Sequence, residues 1–356
     1  MTTGPDGPSL SGPDSREAFI REELRLQALG LGITAVAFLP RRALPPFIAR
    51  HPDASRRYGL DRAGLVMTAA LAFGDGLGSS SNFPNPSMAN PSPANPSPNY
   101  PSPLAMIGRF ARANWYAELV ERLGLCAKAA RAALVSAGFE AGKAGDWHRL
   151  ANSGLPERPL ALASGLGSTG RSGLLLVPGI GPGLVLGLLL VPIEALGLDG
   201  EEALPSPEPR AAKPTAEEPG LPAPGSICGS CRACVEACPT GALGEDGSFD
   251  RESCIQHWSS REGELPPRVR AAWRDSLYGC DLCTVSCPRY SGAAPFSPSR
   301  GILGPGLPAA DIAASSDEEL RARLRGTALG MSWIAPEALR RNARLVIEKA
   351  GAHRGS

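Results

Sequence analysis

The spacing of hydrophobic residues predicts a mixed helix-and-strand region in the first two hundred residues. Residues from Arg16 to Leu29 follow the 3.6-residue period of an amphipathic helix. Two short apolar runs, Ile33 to Leu39 and Gly64 to Phe73, are typical of buried strands, and Met106 to Ala137 returns to the helical period. Helices and strands in this order indicate a domain of the α+β class.

An uncharged run from Ser172 to Ile193 is long enough to raise the question of a membrane helix. Proline and glycine interrupt its middle between Pro178 and Gly183, which favours a turn. We therefore expect the flanks, Leu174 to Val177 and Leu184 to Val191, to form two buried strands of a hairpin, with no membrane span.

Low-complexity stretches divide the chain into segments. A Pro/Asn/Ser repeat cannot build a core and predicts a mobile insertion, and a second Pro-rich stretch predicts a flexible linker. The resulting organisation is a disordered leader (1–15), an N-terminal cofactor or substrate domain (16–198) with its insertion (74–103), the linker (199–226), a cysteine-rich domain (227–300) and a helical C-terminal tail (301–356).

Composition agrees with an intracellular enzyme. The 356 residues are 43% hydrophobic, which is enough for a sizeable core in about two domains. The formal net charge is +1, so binding to nucleic acid would need a local basic patch. The N-terminus lacks the basic-then-apolar pattern of a signal peptide, so we expect a cytoplasmic protein. No Rossmann glycine fingerprint, Walker A run or His-Glu-x-x-His motif is present.

Eight of the nine cysteines form a single pattern. The first run, CGSCRACVEACP, and the second run, CDLCTVSCP, both end in Cys-Pro, and one further cysteine lies between them. In this spacing three thiolates wrap one iron–sulfur cube and the fourth ligates the other cube. The crossed rule assigns one cluster to Cys228, Cys231, Cys234 and Cys287, and the other to Cys238, Cys254, Cys280 and Cys283.

Zinc binding and disulfide formation both fit this cysteine pattern less well. Zinc sites pair two C-x2-C units, and disulfide frameworks belong to short secreted chains. The ninth cysteine, Cys126, lies in a helical pattern between Leu123 and Ala130 and is expected to be a small buried thiol. The sequence therefore predicts two [4Fe–4S] clusters.

The cysteine region resembles that of the epoxyqueuosine reductases, which act in queuosine biosynthesis on tRNA. The resemblance is carried by CGSCRACVEACPTGAL, SCIQHW and GELPPRVRAAWRDSLYGCDLCTVSCP, and it continues in QALGLGITAVAFLP, IGRFARANWYAEL, GLPERPLALASGLGSTGRSGLLL, LRARLRGTALG and LRRNARLVIEKAG. It implies a corrinoid-binding-like α/β sandwich domain joined to a bacterial-type two-[4Fe–4S] ferredoxin domain. It also implies that electrons pass from the clusters to a cobalamin, which reduces an epoxide on the modified base.

The same resemblance implies cofactor-binding residues, namely Phe110, Arg112, Tyr116, Gly165, Gly167, Gly170 and Tyr278. Two of these have a second possible role. The Tyr278 ring would equally serve core packing, and the Arg112 guanidinium would hold a corrin amide or a tRNA phosphate or else lie on a solvated helix face.

Several positions depart from the family pattern. The family's catalytic Asp, a proton donor, is replaced by Ala151, and Asp146, the nearest upstream carboxylate, is the remaining candidate for a shifted acid. Trp115 and Ala117 stand where the family has Asp and His, and Arg171 precedes Ser172 where it has Lys-Asn. The catalytic acid is therefore unassigned.

Two functions follow from these observations. One is an oxidoreductase of the epoxyqueuosine reductase kind, and the other is a non-catalytic electron-transfer or corrinoid-reactivating protein that has lost the acid. We expect a monomer that takes electrons from a low-potential donor of the flavodoxin or ferredoxin class. For tRNA, the candidate phosphate contacts are Arg321, Arg323, Arg325, Arg340, Arg341 and Arg344.

Overall fold

The structure is a computed structural model that describes residues 12–74, 102–198 and 225–352. Most of the predicted insertion (75–101), most of the predicted linker (199–224) and the first 11 residues of the leader lie outside the described residues. The first described range contains α1 (Pro13–Gly30), β1 (Ala35–Pro40), α2 (Pro45–Arg50), α3 (Pro52–Tyr58) and β2 (Ala63–Ala72). Helix α1 and strands β1 and β2 confirm the first three predicted elements, although α1 begins inside the predicted leader.

The other two ranges contain more and shorter elements. Residues 102–198 form β3 (Leu104–Ile107), α4 (Trp115–Ser136), β4 (His148–Leu150), α5 (Glu157–Ala163), β5 (Ser168–Thr169), β6 (Leu175–Leu176) and β7 (Leu184–Pro192). Residues 225–352 form α6 (Ala233–Glu236), α7 (Ile255–Trp258), α8 (Pro267–Ala272), β8 (Ser276–Tyr278), α9 (Leu282–Val285), β9 (Gly306–Pro308), α10 (Ala309–Ala314), α11 (Asp317–Arg323) and α12 (Pro336–Ala352).

The chain folds into two compact units, which are not consecutive in sequence. Among the described residues, the first contains 12–71, 119–167 and 185–198, and the second contains 72–74, 102–118, 168–184 and 225–352. The predicted domain boundaries follow chain order, whereas these units do not. Residues 102–118 and 168–184, predicted to be part of the N-terminal domain, belong to the same compact unit as the cluster region.

The first unit is built on a four-stranded sheet in the order β1-β2-β7-β4. Strand β2 is buried at all ten positions, because it lies inside the sheet. Helix α1 buries Ile20, Leu24 and Ala28, which share one face at a spacing of four residues. A separate core cluster in this unit includes Leu44, Phe47 and Leu160.

The second unit contains a three-stranded sheet in which β3 pairs in parallel with β8 and antiparallel with β9. Helix α12 packs against β8 and α10, and it contributes Leu339, Ala343 and Val346 to the main core of this unit. The predicted C-terminal tail is therefore part of the core that supports the cysteine loops.

Two predicted elements are wrong. The helix predicted from Met106 begins only at Trp115, because Leu104–Ile107 is strand β3 and Arg109–Ala111 is a single 3-10 turn. The predicted hairpin does not form either, since β6 pairs with β5 whereas β7 lies between β2 and β4. A short apolar run does not reveal its strand partner, and this is why both strands were found but wrongly joined. In the part of the chain that the structure describes, no helix is long and apolar enough to span a membrane.

Candidate metal centre

Each cysteine run folds around one short helix. In the first run, the backbone N–H of Cys231 donates to the carbonyl of Cys228 at 3.0 Å, and α6 then carries Cys234. In the second run, α9 carries Cys283, and the N–H of Cys287 donates to Thr284 at 3.2 Å. Helices α6 and α9 pack against each other. The two runs are therefore brought together inside the second unit.

Several of the thiols are electrostatic neighbours of one another. Burial and the thiolates of Cys228 and Cys287 raise the pKa of Cys234. Burial and the thiolate of Cys238 raise the pKa of Cys254. The pairs Cys234–Cys287 and Cys238–Cys254 are ones that the crossed pattern predicts, in which the last cysteine of each run joins the other run's cluster. Cys283 also has Cys234 as a neighbour, so these contacts do not separate the eight thiols into two sets.

Cys254 has two further thiols as neighbours. Burial raises the pKa values of Cys280 and Cys283 to about 12, and each of these thiols is also next to Cys254. We call Cys228, Cys231, Cys234 and Cys287 the outer cluster, because Cys231 is exposed. We call Cys238, Cys254, Cys280 and Cys283 the inner cluster. The assignment of individual ligands stays a prediction.

The thiols fit iron–sulfur cubes chemically. Each iron of a cube takes one protein thiolate, so the four ligands surround a body of atoms. Within the described ranges, no three potential ligands converge on a position for one metal ion. Because thiols with raised pKa values are protonated without metal, cluster assembly must release their protons.

Arg171 braces the loop of the outer cluster. Its backbone N–H donates to the Cys228 sulfur at 3.4 Å, and its guanidinium donates to the carbonyls of Gly229 at 2.8 Å and Cys231 at 3.2 Å. It also donates to the carbonyl of Glu245. The fork of an arginine reaches several acceptors at once, so Arg171 holds the loop of the outer cluster in place.

The loop before the inner cluster runs close to the end of β3. Gly279 has φ of 96°, and a side-chain carbon placed on it would lie 3.0 Å from the Cα of Gly108. The N–H of Gly108 donates to the carbonyl of Tyr278 at 2.8 Å. The N–H groups of Gly279 and Cys280 donate to Ser259 Oγ and Gln256 Oε1, each at 3.2 Å. Only glycine allows this approach of two backbones.

Phe110 and Tyr278, two of the predicted cofactor residues, contact each other. Their ring centroids are 5.6 Å apart, and Tyr278 is only 6% exposed. Burial raises the pKa of the Tyr278 phenol, which is also hydrogen-bonded to the side chains of Trp333 and Gln256. A core-packing role for Tyr278 therefore has direct support.

Arg112 and Tyr116 lie in the same unit and are half-buried. Arg112 Nε donates to the carbonyl of Ile107 at 3.1 Å, and the Arg112 carbonyl accepts from Leu303 at 2.7 Å. Arg112 is thus held by backbone groups of Ile107 and Leu303, and a corrin or phosphate contact stays a prediction.

The three predicted glycines are divided between the units, with Gly165 and Gly167 in the first and Gly170 in the second. Gly165 follows α5 with φ of 78°, a conformation that commonly ends helices. Gly170 donates its N–H to Leu174 at 2.9 Å in the turn that joins β5 and β6. Local backbone geometry accounts for both, and a cofactor role for any of the three stays a prediction.

Ala151 lies in the loop between β4 and α5, and this loop is organised by a carboxylate downstream. Asn152 has φ of 52°, and its N–H and that of Ser153 donate to Glu157 at 3.1 and 2.7 Å. Burial raises the pKa of Glu157. Asp146 is exposed and accepts from the N–H of Lys143 at 3.3 Å, which caps its own turn.

The arginines predicted to contact phosphates are largely paired within the second unit. Arg340 lies 2.5 Å from Asp317 and 2.7 Å from Glu337, and Arg341 donates to the carbonyls of Trp258 at 2.6 Å and Gly263 at 2.8 Å. Arg323 and Arg344 lie within 4.0 Å of carboxylates. Arg341 is therefore a structural residue, and the predicted phosphate surface is weaker than the sequence indicates.

Sequence reasoning missed several residues around the inner cluster, namely Arg109, Gln256, Ser259 and Asp281. The backbone N–H of Arg109 donates to Asp281 Oδ2 at 2.6 Å. The available signal was a carboxylate, Asp281, directly after a predicted ligand, Cys280.

Comparison with known proteins agrees with this centre. Residues 227–289 match the family described as a 4Fe-4S double cluster binding domain. The chain is therefore a double-[4Fe–4S] iron–sulfur protein, and two [4Fe–4S] clusters are its cofactors.

Part of the chain is similar in sequence to known epoxyqueuosine reductases. The chain is 35% identical to epoxyqueuosine reductase of Escherichia coli over 179 residues, which is 49% of this chain and 41% of that enzyme. It is 34% identical to epoxyqueuosine reductase of Bacillus subtilis over 135 residues, 36% of this chain and 34% of that enzyme. The chain is thus homologous to the epoxyqueuosine reductases, as the resemblance predicted, but these alignments span less than half of each relative.

Solved structures show the same fold. Epoxyqueuosine reductase from Streptococcus thermophilus has a TM-score of 0.63 at 18% identity and covers 93% of this chain and 81% of its own. Epoxyqueuosine reductase with an epoxyqueuosine-modified tRNA-Tyr stem loop has a TM-score of 0.59 at 20% identity, with the same coverage. In a third structure, from Bacillus subtilis, the catalytic loop is swung out of the active site.

Proposed function

We propose that this chain is an iron–sulfur oxidoreductase that passes electrons through its two clusters to a bound cobalamin, and that the cobalamin reduces an epoxide on tRNA or a related substrate. The gathering of both cysteine runs in one unit, with α6 packed against α9, carries the proposal. Its homology to epoxyqueuosine reductases supports the substrate class.

The two clusters suggest a direction of electron flow. The exposed Cys231 makes the outer cluster the accessible one, whereas the loop before the inner cluster is in close contact with Gly108 and Phe110. We infer that a donor of the flavodoxin or ferredoxin class reduces the outer cluster and that the inner cluster delivers electrons. The enzyme would act as a cytoplasmic monomer.

The residues that would hold a corrinoid differ in part from those of the related enzymes. Trp115 is 1% exposed and packs at 5.9 Å from the ring of Phe296, and its Nε1 lacks a hydrogen-bond partner among the described residues. The enclosed indole therefore packs within the unit, and Phe110, Arg112 and Tyr116 are the nearby residues proposed to contact a corrinoid. A corrinoid supplies a strongly reducing cobalt when bound, and this requires a low-potential cluster nearby.

Cobalamin binding provides the first test. The anaerobically reconstituted protein should retain cob(II)alamin in equilibrium dialysis, and reducing the clusters should convert the bound cobalamin to its lower oxidation state, visible by absorption. A matched sample with FMN controls for nonspecific retention. Retention of FMN without cobalamin would contradict the proposal and indicate a flavin-linked protein.

Ala151 provides the second test. General acids contribute on the order of a hundred- to ten-thousand-fold to catalysis. If the chain acts on epoxyqueuosine in tRNA, Ala151→Asp should raise turnover at least about tenfold, which corresponds to about 1.4 kcal/mol of barrier. The control is Asp146→Asn, which should leave turnover unchanged. Full activity in the unmodified protein would show that another group donates the proton.

A second candidate function is favoured by the same loop. Because Ala151 has no acidic side chain and Glu157 is engaged by two backbone N–H groups, the chain would serve as an electron-transfer or corrinoid-reactivating protein. Reduction of bound cobalamin with no turnover of epoxyqueuosine-tRNA by either the original protein or Ala151→Asp would favour this function.

A further inference from the structure

A buried ion pair lies directly beside the inner cluster. Asp281 follows the ligand Cys280, and its side chain is 11% exposed, while that of Arg109 is 16% exposed. Asp281 Oδ2 accepts from the backbone N–H of Arg109 at 2.6 Å and lies 3.5 Å from Arg109 Nη1. Arg109 thus contacts the Asp281 carboxylate with both its backbone N–H and its guanidinium.

The position of Arg109 is fixed from the backbone. The preceding residue, Gly108, donates its N–H to the carbonyl of Tyr278 and approaches Gly279 at close backbone contact. Arg109 then begins the 3-10 turn Arg109–Ala111. The guanidinium is therefore carried by a segment that is joined to the cluster loop at two neighbouring points.

The Asp281 carboxylate acts electrostatically on two ligands. It directly follows Cys280 and lies two residues before Cys283 in the chain, and burial raises the pKa of its own carboxyl against the opposing effect of Arg109 and Arg112. Reduction adds an electron to a cluster, so a nearby negative charge opposes it and a nearby positive charge favours it. The net charge of the Asp281 and Arg109 side chains should therefore influence the potential of the inner cluster.

We propose that Arg109 is a positioning residue that compensates the charge of Asp281 and thereby sets the reduction potential of the inner cluster. Removing either member of the pair changes the net charge beside the inner-cluster ligands by one unit, while Arg112 continues to contribute positive charge near Asp281. The proposal rests on the presence of two clusters and is independent of the corrinoid and of any substrate. Its failure can thus be distinguished from failure of the proposed function.

The test is a potentiometric titration of the reconstituted protein, followed by electron paramagnetic resonance. The step lost in Cys254→Ser identifies the inner cluster. Asp281→Asn leaves the arginine cation and should favour reduction of this cluster about tenfold, equivalent to about 59 mV for one electron. Arg109→Gln leaves the carboxylate and should disfavour reduction by a similar factor. The outer cluster should be unchanged in both.

Three further variants serve as controls. Arg109→Lys keeps the charge and the backbone hydrogen bond, so it should remain near the original potential. Combining Arg109→Gln with Asp281→Asn removes both charges and should restore that potential. Asp275→Asn makes the same chemical change at another buried carboxylate, five residues before Cys280, and should have no effect.

Three results would overturn the proposal. In the first, Asp281→Asn shifts the reduction potential of the inner cluster no more than Asp275→Asn does. In the second, Arg109→Gln leaves this potential unchanged, and in the third, Arg109→Lys and Arg109→Gln shift it equally. If Asp281→Asn fails to assemble the inner cluster, the comparison of lysine with glutamine at position 109 still decides the role of charge.

Discussion

At the residue scale, Glu118 is a buried carboxylate that joins two distant parts of the chain. It is 2% exposed, and its Oε1 accepts from Ser299 N at 2.6 Å, Ser299 Oγ at 2.9 Å and Arg300 N at 3.1 Å. The start of α4 is thereby joined to the chain that follows the second cysteine run. Charge-assisted hydrogen bonds of this kind are roughly twice as strong as neutral ones.

Glu118→Gln should therefore destabilise the protein by about 1.5–3 kcal/mol, because the amide is a weaker acceptor and places two donors beside other donors. The measurement is the melting temperature of the cluster-loaded protein under anaerobic conditions. Glu140→Gln, at an exposed site, should stay within about 0.5 kcal/mol of the original. Equal melting temperatures for the two variants would show that the three hydrogen bonds contribute little.

Some functional residues can be recognised from local sequence, whereas others can be recognised only from their contacts in the fold. The cysteine ligands could be predicted because their spacing in the chain is itself the binding motif. Arg109, Glu118 and Asp281 could not, because each acquires its role from a partner more than a hundred residues away. Polar residues of this kind look like surface positions until the fold brings their partners to them.

At the element scale, the contact between the end of β3 and the turn after β8 determines the shape of the inner-cluster loop. Both Gly279 and Gly304 have positive φ, 96° and 75°. A side-chain carbon on Gly279 would meet Gly108 Cα and Phe110 at 3.0 Å, whereas one on Gly304 would meet nothing within 4 Å. Comparing alanine variants at these two positions therefore separates the loss of stability due to backbone conformation from the loss due to steric crowding.

Gly304→Ala should cost about 1–2 kcal/mol, the usual penalty for an L-residue in this conformation. Gly279→Ala should cost more and should also loosen the inner cluster, because β3 must move away from the loop. Thermal unfolding and the iron retained after incubation with a chelator would measure both effects. Equal stability and equal iron in the two variants would contradict the importance of this approach.

The pairing of strands is the part of the fold that could not be predicted from the sequence. The apolar runs that became β2, β6 and β7 were recognised, but their order in the sheets depends on long-range pairing. Strand β3 could not be recognised from the sequence, and a helix was predicted from Met106, because the four residues of the strand, Leu104–Ile107, are too few to show a period. This short strand nevertheless supports the loop before the inner cluster.

At the scale of the whole molecule, the second unit gathers segments that are far apart in the chain. The parallel pair of β3 and β8 joins residues about 170 positions apart, and α12 completes the same core. The composition of the chain marks low-complexity stretches but not such long-range contacts, so the predicted boundaries follow chain order. The cluster region and the C-terminal helices therefore form one folding unit in the structure.

Iron content tests the cluster assignment in the intact chain. The reconstituted protein should hold about eight irons, four for each cube. Cys234→Ser should lower this to about four, since an incomplete ligand set releases mainly one cluster. Cys126→Ala is the matched control, because Cys126 is fully buried in α4 and burial raises its pKa to about 11.

The crossed assignment makes a sharper prediction for the last cysteine of the chain. Cys287 follows the inner-cluster ligands Cys280 and Cys283 in sequence, yet its electrostatic neighbour is Cys234 of the outer cluster. Cys287→Ser should therefore lose the same cluster as Cys234→Ser and retain the one lost in Cys254→Ser. Electron paramagnetic resonance of the remaining cluster distinguishes the two cases. Loss of the same signal in Cys287→Ser and Cys254→Ser would show that each run binds its own cube, and the crossed assignment would be wrong.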